Sequence, residues 1–301
     1  MSQEPLLSDY LILDGGLATQ LEKRGHDLSD SLWSARLLRD APDEIQAVNR
    51  EYLEAGADVI TTASYQATVS GFMSHGLNEQ EAIELIQRSV QLARTARDEF
   101  WNCPSNRPGR QRPLVAASVG SYGAFLANGA EYTGEYDLDE AGLMDFHRQR
   151  WFILAQQNPD LMLCETIPSL VEARVLSQLA AESQLPTWIS FSCRDTSHIG
   201  DGTPLRQCAM FAQRTSAVSA IGVNCLSPHW VAEIVQNLRG FTDKPILVYP
   251  NSGEIWQDKQ WVGESLLDQF TELAKSWRES GASIIGGCCR TTPAHIRGLR
   301  T

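Results

Sequence analysis

Three cysteines stand where they could share one task. Cys225 closes an apolar, β-branched run at 220–224, and Cys288 with Cys289 follows Gly286-Gly287 at the end of a similar run at 283–286. Thiolates are soft ligands, and three of them suit a borderline-soft Zn²⁺ while filling only three of its four tetrahedral positions, the feature that separates catalytic from structural zinc. Neighbouring residues of a regular strand point to opposite faces, so Cys288 and Cys289 can reach one ion only if the strand stops there. Gly286-Gly287 gives the backbone that freedom. The other four cysteines lack this pattern: Cys164 is flanked by strand residues, Cys193 follows the run at 187–191, Cys208 falls in a helical segment and Cys103 belongs to the opposite face. Each reads as a small buried hydrophobe.

Other polar residues hold comparable positions. Asp14-Gly15-Gly16, Thr61-Thr62-Ala63-Ser64-Tyr65, Cys164-Glu165-Thr166 and Tyr249-Pro250-Asn251-Ser252-Gly253-Glu254 each lie at the end of an apolar run. They fit a small amino acid. Glu165 and Asp14 can accept from an α-ammonium, and the N–H groups of Gly15 and Gly16 can donate to an α-carboxylate where a helix begins. Plainer roles stand beside these: Asp14 as a helix cap, Thr62 as a strand end, Tyr65 as a core aromatic. None of the four lysines ends a strand, which disfavours Schiff-base chemistry. The six histidines are scattered singly and read as surface or capping residues.

A repeating β-then-α pattern must position these side chains. Apolar runs predict strands at 10–13, 58–62, 114–119, 161–164, 187–191, 220–224, 246–249 and 283–286, with helical segments after each except the last. At 79–100, for example, Ala82, Leu85, Ile86, Val90, Ala93 and Ala96 share one helical stripe. Two helices end in Glu54-Ala55-Gly56-Ala57-Asp58 and Glu279-Ser280-Gly281-Ala282-Ser283, a glycine cap feeding directly into a strand. Eight such units predict an α/β fold, a single (β/α)8 TIM barrel formed by residues 1–301 as one domain, with its site at the C-terminal strand ends. A doubly wound open sheet is the main rival. Against it, Asp14-Gly15-Gly16 lacks the glycine spacing of a dinucleotide site, and no glycine loop with a phosphate-binding lysine occurs. The Pro- and Arg-containing stretch 102–113 reads as a solvated connector on the N-terminal face.

Composition narrows the partners. With 37 acidic against 25 basic residues, the formal charge of −12 would repel a nucleic-acid backbone. No apolar run approaches the roughly 20 residues of a membrane span. Met1-Ser2-Gln3-Glu4-Pro5 lacks the charged and apolar regions of a secretory signal, and seven cysteines is an odd, thinly spread count, so a cytoplasmic location with reduced thiols is expected.

The motifs Asp14-Gly15-Gly16, Thr62-Ala63-Ser64-Tyr65-Gln66-Ala67, Ser118-Val119-Gly120, Cys164-Glu165-Thr166, Gly222-Val223-Asn224-Cys225, Tyr249-Pro250-Asn251-Ser252-Gly253-Glu254 and Gly286-Gly287-Cys288-Cys289-Arg290-Thr291 carry a resemblance to the homocysteine S-methyltransferase family, from about residue 10 to residue 297. The runs at 63–68 and 249–254 look most like the bacterial and plant members that use S-methylmethionine, with betaine-using and cobalamin-dependent relatives further away. The resemblance implies Zn²⁺ on Cys225, Cys288 and Cys289, the homocysteine ammonium at Glu165 and Asp14, its carboxylate at the Gly15 amide, and Asn224, Thr62 and Tyr65 lining the same pocket. The activity so implied is zinc-dependent methyl transfer from a sulfonium donor, S-methylmethionine or S-adenosylmethionine, to L-homocysteine, giving methionine. Trp256, Tyr249 and Tyr122 offer aromatic faces for the donor cation. Open alternatives are a betaine- or selenocysteine-type methyltransferase of the same family, a metal-dependent barrel hydrolase or lyase, and a structural-zinc or redox-sensing thiol protein.

Overall fold

The computed structural model describes residues 10–29, 32–257 and 260–300. Eight parallel strands form at the runs anticipated: β1 (Leu11–Ile12), β2 (Val59–Thr61), β3 (Leu114–Gly120), β4 (Leu161–Ile167), β5 (Thr187–Phe191), β6 (Val218–Asn224), β7 (Ile246–Tyr249) and β8 (Ile284–Ile285). Each pairs with its sequence neighbours, and β8 pairs with β1 in the register Leu11↔Ile284. The remaining seam, between β1 and β2, is closed by a parallel bridge at Leu13↔Val59. Side chains stitch that seam at both ends: Asp58 accepts from the Ile12 N–H at 3.0 Å, and Asp14 accepts from the Thr61 N–H at 2.7 Å. The result is a (β/α)8 barrel.

Strand alternation sorts the core into two layers. Leu11, Leu13, Val59, Ala116, Leu161, Leu163, Trp188, Ala220, Leu247 and Ile284 pack together inside the barrel, while Ile12, Ile60, Ala117, Met162 and Ile189 face the helices. Continuing the inner phase toward the C-terminal ends brings Thr61, Ser118, Glu165, Ser190, Asn224, Tyr249 and Cys288 to the mouth. The apolar filling therefore gives way there to polar groups. Cys164 falls in the outer phase and packs with the helix layer, so it cannot join the other thiols.

The helices follow their caps. Glu79–Asn102 opens on a capping box between Asn78 and Glu81 and buries the predicted stripe. Pro42–Ala55 starts with proline in its first turn and ends at Gly56, whose φ of 120° permits the turn into β2. The last strand is also followed by a helix, Pro293–Gly298. An antiparallel hairpin, Ile255–Gln257 with Gln260–Val262, is inserted after β7. The connector at 102–113 does more than span solvent. Arg110 donates to the carbonyls of Leu53 and Ala57 and, with Tyr10, Asp58 and Arg300, lines a cavity of about 470 Å³ at the closed end of the barrel. Among the described residues no helix is long and apolar enough to cross a membrane.

Candidate active site

Cys225, Cys288 and Cys289 meet at the mouth. Cys225 Sγ lies 3.6 Å from Cys289 Sγ, Cys288 Sγ lies 4.0 Å from Cys289 Sγ, and all three fall within 4.8 Å of one another. Sulfurs at 2.3 Å from a tetrahedral ion stand about 3.8 Å apart, so the spacing fits one metal. Among the described residues no other group of His, Cys, Asp or Glu has such spacing. The charge balance points the same way. Hydrogen bonds from Cys288 and Cys289 hold the Cys225 thiol well below its ordinary value, whereas those two thiols are pushed well above theirs by their contact with Cys225. Three thiolates this close repel one another, and a bound cation is what lets them coexist.

The backbone is bent to allow this. Cys225 sits in the left-handed region at φ 56°, an uncommon state for a side-chain-bearing residue, held by its N–H donating to the Tyr249 carbonyl at 3.2 Å. β8 stops at Ile285, as two adjacent ligands require. The glycines that follow serve differently from the expectation. Neither Gly286 nor Gly287 has positive φ; they are needed for space, because a Cβ on Gly286 would stand 2.7 Å from the Asp14 carbonyl and one on Gly287 would strike Thr291. Gly16 has the same function, since a Cβ there would fall 2.6 Å from the Cys288 carbonyl. The run after β7 is a strap for the cysteine pair. Cys288 N–H donates to the Pro250 carbonyl at 2.8 Å, Cys289 N–H to Asn251 Oδ1 at 3.1 Å, and Ser252 N–H to the Cys289 carbonyl at 3.1 Å. Glu254 then accepts from both Ser252 Oγ and Arg290 Nε, tying the β7 and β8 loops together.

Two carboxylates share the mouth. Asp14 accepts from the N–H and hydroxyl of Thr61, and Glu165 accepts from the Ser118 hydroxyl. Burial pushes each of them up to about 7, against those hydrogen bonds. The Tyr249 hydroxyl is buried in the mouth, facing Glu165 and Ser190. Asn224 is clamped by Thr166 N–H at 2.9 Å and Ser190 Oγ at 2.8 Å, and its amide reaches toward Cys288 Sγ at 4.0 Å. Gly16 N–H is taken by Thr291 Oγ1 at 3.0 Å, leaving Gly15 as the amide without an acceptor among the described residues. Tyr65 is drawn into the same field, close to Cys225 and Glu165. Thr62 is placed otherwise: it lies one residue out of the inward phase, and its hydroxyl is engaged by Ser64 Oγ and Ser118 N–H. Its neighbour Thr61 is the threonine that touches a mouth carboxylate. Of the aromatic candidates, Tyr249 lies in the mouth, Tyr122 packs against Phe125, Phe146 and Tyr136, and the Trp256 side chain lies outside the described residues.

Sequence reading missed two groups. The loop after β3 carries a short 3-10 turn, Ala130–Tyr132, that puts the Tyr132 hydroxyl 3.0 Å from Cys225 Sγ with Glu131 beside it. The length of that loop on the catalytic face was the available signal. The second group is buried behind Tyr65. His147 is neither a surface nor a capping histidine: its Nδ1 receives Arg150 at 2.8 Å and its Nε2 meets Glu172 Oε1 at 2.7 Å. Arginine can only donate, so Nδ1 is the acceptor and Nε2 carries the proton given to Glu172. A neutral imidazole thus bridges a guanidinium and a carboxylate, consistent with burial lowering the His147 value. Arg150 also donates to the carbonyls of Gly120 at 2.6 Å and Tyr65 at 3.4 Å, so the network holds the loop that presents Tyr65.

The remaining cysteines stay apart: Cys164 and Cys208 are buried, Cys193 half-buried and Cys103 exposed.

Comparison with known proteins agrees with this geometry. Residues 11–301 match the sequence model of a family described as Homocysteine S-methyltransferase. The chain is 45% identical over 292 residues to the homocysteine S-methyltransferase YbgG of Bacillus subtilis, covering 96% of this chain and 93% of that one. It is 46% identical over 298 residues to homocysteine S-methyltransferase 1 of Zea mays, covering 96% and 92%. Among solved structures, the metallated form of the homocysteine methyltransferase MmuM from Escherichia coli superposes with a TM-score of 0.88 at 42% identity, covering 97% of this chain and 96% of that one. The apo form of MmuM gives a TM-score of 0.78, with 36% identity and coverage of 97% and 95%.

Proposed function

The chain belongs to the homocysteine S-methyltransferase family, and from that premise we propose that it transfers a methyl group from a sulfonium donor, S-methylmethionine or S-adenosylmethionine, to the sulfur of L-homocysteine, using Zn²⁺ held by Cys225, Cys288 and Cys289. The observation that carries this reading is the sulfur triangle at tetrahedral spacing, set at the barrel mouth beside two buried carboxylates. One whole-chain barrel domain in the reducing cytosol suits such a half-buried cluster of free thiols.

A free thiol of ordinary pKa is only about 3% ionised at neutral pH, and the thiolate is the nucleophile. Zinc, when bound, supplies the positive charge that keeps the substrate sulfur ionised. The chain's residues do the rest. Three cysteines define where the fourth sulfur must approach, Asp14 and Glu165 accept from the homocysteine ammonium, and the Gly15 N–H donates to its carboxylate. Asn224, clamped by Thr166 and Ser190, braces Cys288 from below. The leaving group is a neutral thioether, so the mouth needs no general acid. Its task is alignment of sulfur, methyl and leaving group.

The direct test offers zinc-loaded protein homocysteine with each donor separately and follows methionine. Turnover with S-methylmethionine is expected, and absence of turnover with every sulfonium would overturn the reading. The pH response is a further expected outcome. Asp14 and Glu165 are protonated below about 7 and ionised above it. An ammonium requires the ionised form, so KM for homocysteine should fall as pH rises through about 7 and then level off. Stability of the substrate-free protein should move oppositely. The folded state binds more protons than the unfolded state between the ordinary carboxylate range and about 7, so stability declines as pH rises across that window. A homocysteine KM independent of pH there would dismiss the two carboxylates as the ammonium site.

A further inference from the structure

Besides Glu254, which Ser252 and Arg290 hold, three carboxylates reach the barrel mouth, and two of these are held by side-chain donors: Asp14 by Thr61, Glu165 by Ser118. The third, Glu131, is carried by the turn Ala130–Tyr132, which is pinned over the mouth by Ser192 Oγ donating to the Glu131 carbonyl at 2.6 Å. Its Oε2 is closed off from solvent and has no hydrogen-bond partner among the described residues. Glu131 bears electrostatically on both Cys225 and Tyr65. The neighbouring Tyr132 sets its hydroxyl 3.0 Å from Cys225 Sγ while 41% of the residue stays exposed at the rim. A carboxylate oxygen closed to water and given no donor, next to thiolates, is poorly compensated by its surroundings, and an arriving cation is what would compensate it.

Resting on the methyl-transfer reading, we infer that Glu131 and the ring of Tyr132 form the subsite for the positively charged sulfur of the methyl donor. The charge accounting supports this division. Homocysteine brings one ammonium, for which Asp14 and Glu165 stand ready, whereas a sulfonium donor brings an additional cation beside the nucleophilic sulfur. In the transfer, an electron pair of the homocysteine thiolate forms the new C–S bond. The donor's C–S bond breaks and its pair returns to the donor sulfur, which leaves as a neutral thioether. The cation that Glu131 faces exists before the step and is gone after it. Glu131 therefore acts in donor binding and in discriminating a sulfonium from its own neutral product, and it has no part in bond making. The rim-exposed ring of Tyr132 adds an aromatic face to the same cation.

Glu131→Gln tests this, because it keeps the shape and removes the charge. Zinc-loaded wild-type and variant proteins are titrated with S-methylmethionine and, separately, with methionine, by calorimetry without homocysteine. Sulfonium binding is expected to weaken about tenfold or more, methionine binding to stay within about twofold, and zinc content and homocysteine KM to remain unchanged. Glu131→Asp should recover part of the sulfonium affinity. Removing the charge from a carboxylate whose Oε2 has no partner among the described residues should leave the melting temperature no lower than that of the wild type, which separates this effect from misfolding. A sulfonium affinity changed by less than about threefold, or an equal loss for methionine, overturns the inference. Turnover by the unsubstituted protein bears on the methyl-transfer reading alone, so the two ideas fail separately.

Discussion

Cys288→Ser is expected to lose most of the bound metal and at least about a thousandfold of methyl transfer. Serine's hydroxyl is a much weaker acid than a thiol and does not ionise at neutral pH, so one corner of the sulfur triangle is lost outright. No neighbour can replace it. The nearest other cysteine on a mouth strand, Cys164, points into the helix layer, and the Asn224 amide beside Cys288 presents a donor N–H to it. Cys225→Ser and Cys289→Ser should behave alike. Cys208→Ser is the control, since Cys208 is buried in the helix Leu205–Arg214, and its loss should leave turnover largely intact. Zinc per chain by elemental analysis, measured alongside turnover, checks the set. Normal zinc and normal turnover in Cys288→Ser would remove the ligand assignment. Chelation should abolish activity while leaving the far-ultraviolet circular dichroism unchanged, because the barrel's apolar layers are built from strand and helix side chains, with Cys288 alone of the three thiols packing against their edge.

The second large effect is on stability. Glu172→Ala should cost about 3–5 kcal/mol, read as a lower denaturant midpoint in equilibrium unfolding. Glu172 accepts from the His147 imidazole, from Tyr122 N–H at 2.6 Å and from the Tyr136 hydroxyl, with no solvent access to replace any of them. Removing it strands three donors and leaves the buried Arg150 guanidinium without a countercharge. Arg150 stacks on Phe146 at 5.2 Å and cannot swing out to water. Because Arg150 also holds the carbonyls of Gly120 and Tyr65, a milder variant such as Glu172→Gln should disturb Tyr65 and raise substrate KM before it unfolds the chain. A cost below about 1 kcal/mol for Glu172→Ala would mean that the cluster contributes packing only.

Much of the architecture could be read along the chain because its causes are local. Strands appear at all eight predicted runs, since β-branched apolar segments bounded by turn residues have few alternatives. Gly56 and Gly281 take positive φ where helices meet strands, as their caps required. The convergence of Cys225 with Cys288 and Cys289 was also readable, because a parallel barrel sends all of its strand ends to one face. The soft, thiol-only character of the cluster follows from residue types alone.

Other features belong to the closed barrel. Which threonine faces inward, Thr61 and not Thr62, depends on the phase that β2 adopts once Asp14 and Asp58 stitch it to β1. Gly286 is needed because Leu13 and Asp14 crowd it, neighbours that exist only when the last strand returns to the first, whereas Gly287 makes room for Thr291 four residues on. Glu131 and Tyr132 lie far from Cys225 in sequence, and no periodicity links a loop turn to a strand end across the mouth. The proton on His147 Nε2 is likewise settled only when Glu172, on the helix Leu170–Ser183, meets the His147 and Arg150 that share the helix Glu140–Ala155. Local preference determines which residues stand at the ends of which elements. Contacts between distant segments determine which of those residues face each other, because their energies exist only after the chain has closed on itself.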